Sequence, residues 1–110
     1  MKGHLSTHVL DITTGRPAAG VTIELWQLKT PSALHLKSVE TNGDGRAALL
    51  DPTEMKVGTY ELVFHIGPYF GSENPFLSEV PVRFRIQSVA EGYHIPLLVS
   101  PWAYSTYRGS

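Results

Sequence analysis

The sequence predicts an all-β sandwich, and three observations support this fold class. About eight short segments alternate apolar and polar residues, as strands with one buried face do. Turns rich in Gly, Pro and Asn separate these segments at regular intervals. Only one stretch, which opens at Pro68, is suited to a short helix, because proline is tolerated at the first helical position. The predicted strands span residues 4–12, 21–28, 34–41, 46–50, 59–66, 79–88, 93–100 and 102–107.

The first half of the chain supplies four of these strands. The strand 4–12 has two alternating faces, Leu5, Thr7 and Val9 on one and Ser6, His8 and Leu10 on the other. Residues 13–17 have turn chemistry, and the strands 21–28 and 34–41 follow. The sequence Asn-Gly-Asp-Gly at 42–45 tolerates positive φ and therefore predicts a hairpin turn before the strand 46–50.

The second half contains the only predicted helix. Gly67 and Pro68 end the strand 59–66, and the helix is expected over 68–72, before Pro75. The strand 79–88 contains Pro81, which indicates an edge position or a strand start. Gly92 turns the chain into the strand 93–100, and Pro101 separates that strand from the last one.

Composition limits the classes of function. The 110 residues fit a single domain, 1–110, and 42% apolar with 17% charged residues is an ordinary globular balance. A net charge of -1 gives no electrostatic reason to expect nucleic acid or an anionic membrane as partner. The absence of cysteine excludes disulfides and thiolate chemistry. We see neither a secretory signal, a membrane-spanning stretch nor a peroxisomal tripeptide, and therefore expect a cytoplasmic protein.

Histidine and arginine are the strongest candidates for chemistry. Of the five histidines, His8 and His94 lie on two predicted strands; if these strands pair, the two imidazoles can act as an acid–base pair near neutral pH. Arg46 follows a tight turn at a sheet end, where pockets gather, although a solvated arginine is the simpler interpretation. No metal site is predicted, since motifs such as His-x-His and His-Glu-x-x-His are absent. Nucleophile elbows, phosphate loops and dinucleotide fingerprints are also absent.

The stretch 104–110, Tyr-Ser-Thr-Tyr-Arg-Gly-Ser, is unusual for the end of a sequence. It combines strand-forming residues with a guanidinium, a flexible glycine and a hydroxyl. Such groups are suited to lining a polar pocket. An edge strand with a solvated end is the alternative.

Three stretches together resemble the transthyretin-like family, and within it the hydrolases that act on 5-hydroxyisourate in urate degradation. They are residues 5–11 with 15–18, residues 41–46, and residues 93–101 running on to 104–110. The final Tyr-Arg-Gly-Ser is the most specific part, because the hormone carriers of the family share the fold and lack this motif. One departure is Leu77-Ser78, where relatives often have Tyr-Pro; it puts the local helix geometry in question.

The resemblance implies a sandwich of two four-stranded antiparallel sheets with one short helix. It also implies a homotetramer, a dimer of dimers with active sites where the dimers meet, and no cofactor or metal. The implied catalytic residues are His8, Arg46, His94 and Ser110. The implied substrate-binding residues are His8, Arg46, Tyr107, Arg108 and Gly109.

The activity implied by the resemblance is hydrolysis of the 5-hydroxyisourate lactam to 2-oxo-4-hydroxy-4-carboxy-5-ureidoimidazoline. His8 and His94 would share the proton transfers, and Arg46 would orient the substrate and stabilise negative charge. Ser110 and its neighbours would close the pocket. Which histidine is the base stays open. Two other functions also stay open, a transthyretin-like carrier of a small aromatic ligand and a structural adhesion sandwich.

Overall fold

The structure, a computed structural model, describes residues 3–109 as nine strands and one helix. The helix α1 (Ile66–Phe70) lies between the sixth and seventh strands. The strands are β1 (His4–Asp11), β2 (Arg16–Pro17), β3 (Thr22–Leu28), β4 (Ala33–Glu40), β5 (Arg46–Leu50), β6 (Gly58–His65), β7 (Glu79–Ile86), β8 (Gly92–Val99) and β9 (Tyr104–Thr106).

Two sheets enclose one core, so the predicted sandwich with one short helix is confirmed. The first sheet has the order β2-β1-β8-β9, with β5 also paired to β1, and the second has the order β4-β3-β6-β7. The first sheet has five strands where four were expected, because Arg16–Pro17, predicted as a turn, adds a two-residue strand beside the end of β1.

The alternation of apolar and polar residues does not predict whether β1 and β8 pair in parallel or antiparallel. β1 pairs with β8 in parallel, whereas every other strand pair within residues 3–109 is antiparallel. Parallel neighbours need a long connection, and here the whole second sheet lies between them in the chain. The period-two pattern of a strand is the same in both directions.

Alternation in β1 decides which side chains remain available for chemistry. Leu5, Thr7 and Val9 are buried against the second sheet, as their shared face predicts. The intervening Ser6 and His8 are only partly buried and point away from the core. The outer face of the first sheet therefore carries polar groups at its centre.

The helix begins at Ile66, two residues earlier than predicted, directly after β6. It ends at Phe70 and is followed by Gly71, whose φ of 71° is the left-handed conformation common after a helix. The N–H groups of Ile66 and Gly67 both donate to the carbonyl of Ser78, at 3.0 and 2.9 Å. A proline at position 78 would offer the same acceptor, so Leu77-Ser78 keeps this anchor of the helix.

No helix in residues 3–109 is long and apolar enough to span a membrane.

Asp11 ties the end of β1 to the helix. Its buried carboxylate accepts hydrogen bonds from the Thr13 N–H at 2.9 Å, the Thr13 hydroxyl at 2.6 Å and the Tyr69 hydroxyl at 3.0 Å. Burial by itself would raise the pKa of Asp11, but the hydrogen bonds from Thr13, Tyr69 and Thr14 outweigh it and lower that pKa.

We expect Asp11→Ala to reduce the free energy of unfolding by about 1–3 kcal/mol, because three partly buried hydrogen bonds lose their acceptor. Since the folded pKa lies below the ordinary value of 3.8, the stabilisation is complete above that value and is lost as the pH falls through the folded pKa. Urea denaturation at neutral and acid pH measures both effects. Asp44→Ala, at an exposed turn position, is the matched control. Equal stability of Asp11→Ala and the unmodified chain would contradict a stabilising role for the Asp11 hydrogen bonds.

Candidate functional site

A cavity of about 430 Å³ lies on the outer face of the first sheet, where β1, β5 and β8 meet. Each of these strands presents every second side chain outward, so polar groups from separate parts of the chain converge there. The polar residues that line the cavity are His4, Ser6, Thr7, Asn42, Arg46 and His94.

His8 and Arg46 are direct partners across the antiparallel pair of β1 and β5. Side chains at directly opposed positions lie on the same face of a sheet. His8 is not among the residues that line the cavity, but it lies on the same outer face of β1 as Ser6, which does line it. The structure therefore brings these two predicted site residues together.

His94 joins them through the parallel pair of β1 and β8. It lies opposite Ser6, while His8 lies opposite Pro96, so the two imidazoles are diagonal neighbours on one face. The strand pairing on which the acid–base hypothesis depends is present. The His94 ring also contacts its direct partner: Ser6 Oγ and His94 Nδ1 are 3.0 Å apart.

The turn before β5 fixes the position of Arg46. Gly45 has a φ of 72°, and its carbonyl accepts the Val9 N–H at 2.7 Å. A Cβ at position 45 would lie 2.5 Å from the Val9 carbonyl oxygen, so only glycine permits this approach to β1. The Asn42 side-chain oxygen accepts the Arg46 N–H at 3.0 Å and holds the first residue of β5 in place.

The surroundings of His94 favour its neutral form. Burial lowers the pKa of His94 below its ordinary value of 6.5, and the positive charges of Arg46, His8 and His4 lower it further. A neutral imidazole at neutral pH can accept a proton.

The last described residue, Gly109, packs against His94. Its N–H donates to the His94 carbonyl at 2.7 Å. A Cβ at position 109 would lie 2.6 Å from His94 Cδ2 and 3.3 Å from Pro96 Cγ, so the backbone of the tail rests on the imidazole. Ser110, predicted as catalytic, lies outside the described residues.

Tyr107 and Arg108 line a different cavity within one chain. The Arg108 guanidinium lies 3.2 Å from the Glu91 carboxylate and 4.4 Å above the centre of the Tyr93 ring. Both tail residues border a second cavity of about 360 Å³, together with Phe84 of β7. Within a single chain they are not among the residues that line the first cavity, where β1, β5 and β8 meet. Their contact with substrate stays a prediction.

Sequence reasoning did not select four polar residues of the cavity as functional, His4, Ser6, Thr7 and Asn42. Alternation already placed Ser6 on the face of His8, which was a usable signal. The cavity contributions of Asn42 and His4 depend on pairings between distant strands, which the sequence pattern does not contain. Within residues 3–109, no three acidic or histidine side chains are arranged to share a metal ion.

Comparison with known proteins gives consistent matches over the whole length. The profile of the HIUase/Transthyretin family matches residues 5–109. A 5-hydroxyisourate hydrolase of Mesorhizobium japonicum is 52% identical, over 98% of this chain and 93% of that protein. The structure of Klebsiella pneumoniae 5-hydroxyisourate hydrolase is 34% identical with a TM-score of 0.84, over 98% of this chain and 99% of that one. Sea bream transthyretin in complex with thyroxine is 25% identical with a TM-score of 0.87, over 96% and 93%.

Proposed function

Because the chain belongs to the HIUase/Transthyretin family, we propose that it is a hydrolase that opens the lactam ring of 5-hydroxyisourate. The observation that carries this proposal is the convergence of His8, Arg46 and His94 on one outer sheet face. Two imidazoles and a guanidinium suit water-driven opening of a cyclic amide, because they can supply a base, an acid and a cation for the developing negative charge. The activity of the relatives and the chemistry of the cavity therefore agree.

The reaction adds water to the lactam carbonyl and breaks the carbon–nitrogen bond. His94, whose pKa is lowered by burial and by neighbouring positive charges, is suited to take a proton from the attacking water. The oxygen of water bonds to the carbonyl carbon, and the charge that develops on the carbonyl oxygen faces the Arg46 guanidinium. When the carbon–nitrogen bond breaks, the leaving nitrogen needs a proton, which His8 is placed to supply. The product is 2-oxo-4-hydroxy-4-carboxy-5-ureidoimidazoline.

This cycle uses only groups of the chain and needs no cofactor. Two histidines exchange protons with water and substrate, and a permanent cation stabilises the negative charge. Each proton carrier is expected to contribute about 10²–10⁴ in rate. We accordingly propose a cofactor-independent cyclic amide hydrolase.

Fold similarity alone does not separate a hydrolase from a carrier, because TM-scores to the hydrolase and to transthyretin are 0.84 and 0.87. Sequence similarity does separate them, with 52% identity to a hydrolase and 25% to the thyroxine-bound carrier. The cavity adds a chemical reason. An aromatic hormone needs an apolar channel, whereas two histidines, an arginine, a serine and an asparagine line this cavity, and His8 lies beside it as the cross-strand partner of Arg46.

The test is the ultraviolet decay of freshly prepared 5-hydroxyisourate with and without the protein. We expect strong acceleration over the spontaneous reaction, and the same rate after dialysis against a zinc chelator. Arg83→Ala, at an exposed arginine of the second sheet, is expected to behave like the unmodified chain. A decay no faster than the spontaneous one would refute the hydrolase, and loss of activity in the chelator would refute metal independence.

We propose further that the chain assembles as a homotetramer, a dimer of dimers. Its exposed aromatic residues support this proposal: Phe76 and Trp102 stack with ring centroids 6.0 Å apart while each remains about 70% exposed. The edge strand β9 also offers unpaired backbone groups to a second copy. We expect light scattering to give four chains per particle at assay concentration. A monomer with full activity would contradict this assembly.

A further inference from the structure

The Ser6 side chain is the direct neighbour of the proposed base and has no part in the reaction described above. Ser6 and His94 face each other in the parallel pair of β1 and β8, and Ser6 Oγ lies 3.0 Å from His94 Nδ1. Both side chains are partly buried and both line the cavity. Within residues 3–109, Ser6 is the only hydrogen-bond partner of the His94 ring, and Nε2 has none.

We propose that Ser6 is a positioning residue. Its hydroxyl oxygen accepts a hydrogen bond from the His94 Nδ1–H group, so that Nε2 is the atom that exchanges protons in the cavity. This inference rests on the proposed hydrolase activity and assigns a further residue to it. The imidazole is held from two directions, since Gly109 covers its Cδ2 and Cγ while Ser6 holds its Nδ1. A ring fixed in this way turns little when the proton moves.

A hydroxyl suits this task because of its hydrogen-bonding capacity. In the neutral tautomer with hydrogen on Nδ1, and in the imidazolium, the same Nδ1–H donates to Ser6 Oγ. The bond therefore survives proton uptake at Nε2. A methyl group at position 6 would leave Nδ1 without this partner, and the imidazole would be free to adopt the other tautomer, in which Nε2 carries hydrogen and cannot act as a base.

Ser6 could instead be a nucleophile activated by His94, since a hydroxyl 3.0 Å from an imidazole is also the geometry of such a pair. In such pairs a third group orients the base. Within residues 3–109, His94 has no such group, because its ring makes no hydrogen bond or ion pair with a carboxylate. The geometry thus favours positioning, and the two roles predict different sizes of effect.

The experiment compares Ser6→Ala and Ser6→Thr with the unmodified chain. We expect Ser6→Ala to lower kcat about tenfold, as loss of one neutral hydrogen bond does, with little change in KM. Ser6→Thr keeps the hydroxyl and is expected to recover most of this loss. The acid limb of the pH profile of kcat/KM should move to lower pH in Ser6→Ala, because the imidazolium loses a hydrogen bond that stabilises it.

A matched control is available on the second sheet. Ser38 Oγ and His35 Nε2 are also 3.0 Å apart, but this pair is exposed, belongs to the second sheet and is not among the residues that line the cavity. Ser38→Ala removes a serine–histidine hydrogen bond of the same length and should leave kcat and the pH profile unchanged. Circular dichroism of all three variants reports whether each is folded.

Nitrogen-15 NMR of the His94 ring tests the inference without any turnover. We expect the tautomer with hydrogen on Nδ1 in the unmodified chain, and the tautomer with hydrogen on Nε2 in Ser6→Ala. An unchanged tautomer and pH profile would overturn the positioning role. Loss of turnover as complete as in His94→Ala would also overturn it, in favour of a nucleophile. If the chain proves inactive on 5-hydroxyisourate, the proposed function fails, while the NMR result still decides how His94 is held.

Discussion

His94→Ala and His8→Ala should each lower kcat/KM for 5-hydroxyisourate by about two orders of magnitude or more, because each removes one of the two proposed proton carriers. We expect their stability to change little, since both side chains lie on the outer face of the first sheet and outside the core. Steady-state kinetics on folded variants measure the effect. His35→Ala, at an exposed histidine of β4, is the matched control and should keep full turnover. Near-normal turnover of either variant would remove that residue from the acid–base pair.

The acid limb of the pH profile tests the assignment of His94 as the base. Because burial and the charges of Arg46, His8 and His4 lower the pKa of His94, we expect kcat/KM to fall only when the pH drops through a value below 6.5. Above that value His94 is neutral and able to accept the proton. Arg46→Gln removes one of the charges that lower this pKa, so the acid limb should move toward higher pH while kcat also falls. An acid limb well above 6.5 in the unmodified chain would contradict the assignment of His94 as the base.

Alternation was enough to predict which side chains of the first sheet are available for chemistry. The pattern of β1 placed Ser6 and His8 on one face and Leu5, Thr7 and Val9 on the other, and the burial of these residues follows it. The turn residues at 42–45 likewise placed Arg46 at the start of a strand. These predictions hold because they depend on period and turn chemistry, which are local properties of the chain.

The contacts that make the site depend on longer distances along the chain. Whether His94 meets Ser6 or His8 is a question of register between strands almost ninety residues apart, and a parallel pair is as compatible with the pattern as an antiparallel one. The resemblance to the hydrolases supplied His8, Arg46 and His94 as a set. It did not supply Ser6, and it did not anticipate that Arg108 would stack on Tyr93 in a single chain.

Removing residues 107–110 should abolish most of the activity and leave the chain folded. β9 ends at Thr106, whose hydroxyl still donates to the Pro96 carbonyl at 2.7 Å, so the last strand keeps its anchor. The truncation removes the Gly109 N–H from the His94 carbonyl and uncovers one side of the imidazole. Water then competes for the hydrogen bonds of the site and weakens its electrostatic interactions. We expect kcat/KM to drop about 100-fold or more, and normal turnover by the folded truncation would exclude the tail from the site.

A single methyl group tests the same contact more finely. Gly109→Ala places a Cβ 2.6 Å from His94 Cδ2, so the imidazole or the tail must move, and a displacement of about 1 Å can cost about 10²-fold in rate. Gly43→Ala is the matched control, because a Cβ at that exposed turn position meets no atom within 4 Å. If the loss in Gly109→Ala arises from the clash with His94, it should disappear in a His94→Ala background, where no ring remains to be displaced. Equal losses from Gly109→Ala with and without the imidazole would show that the tail acts on the site by another route.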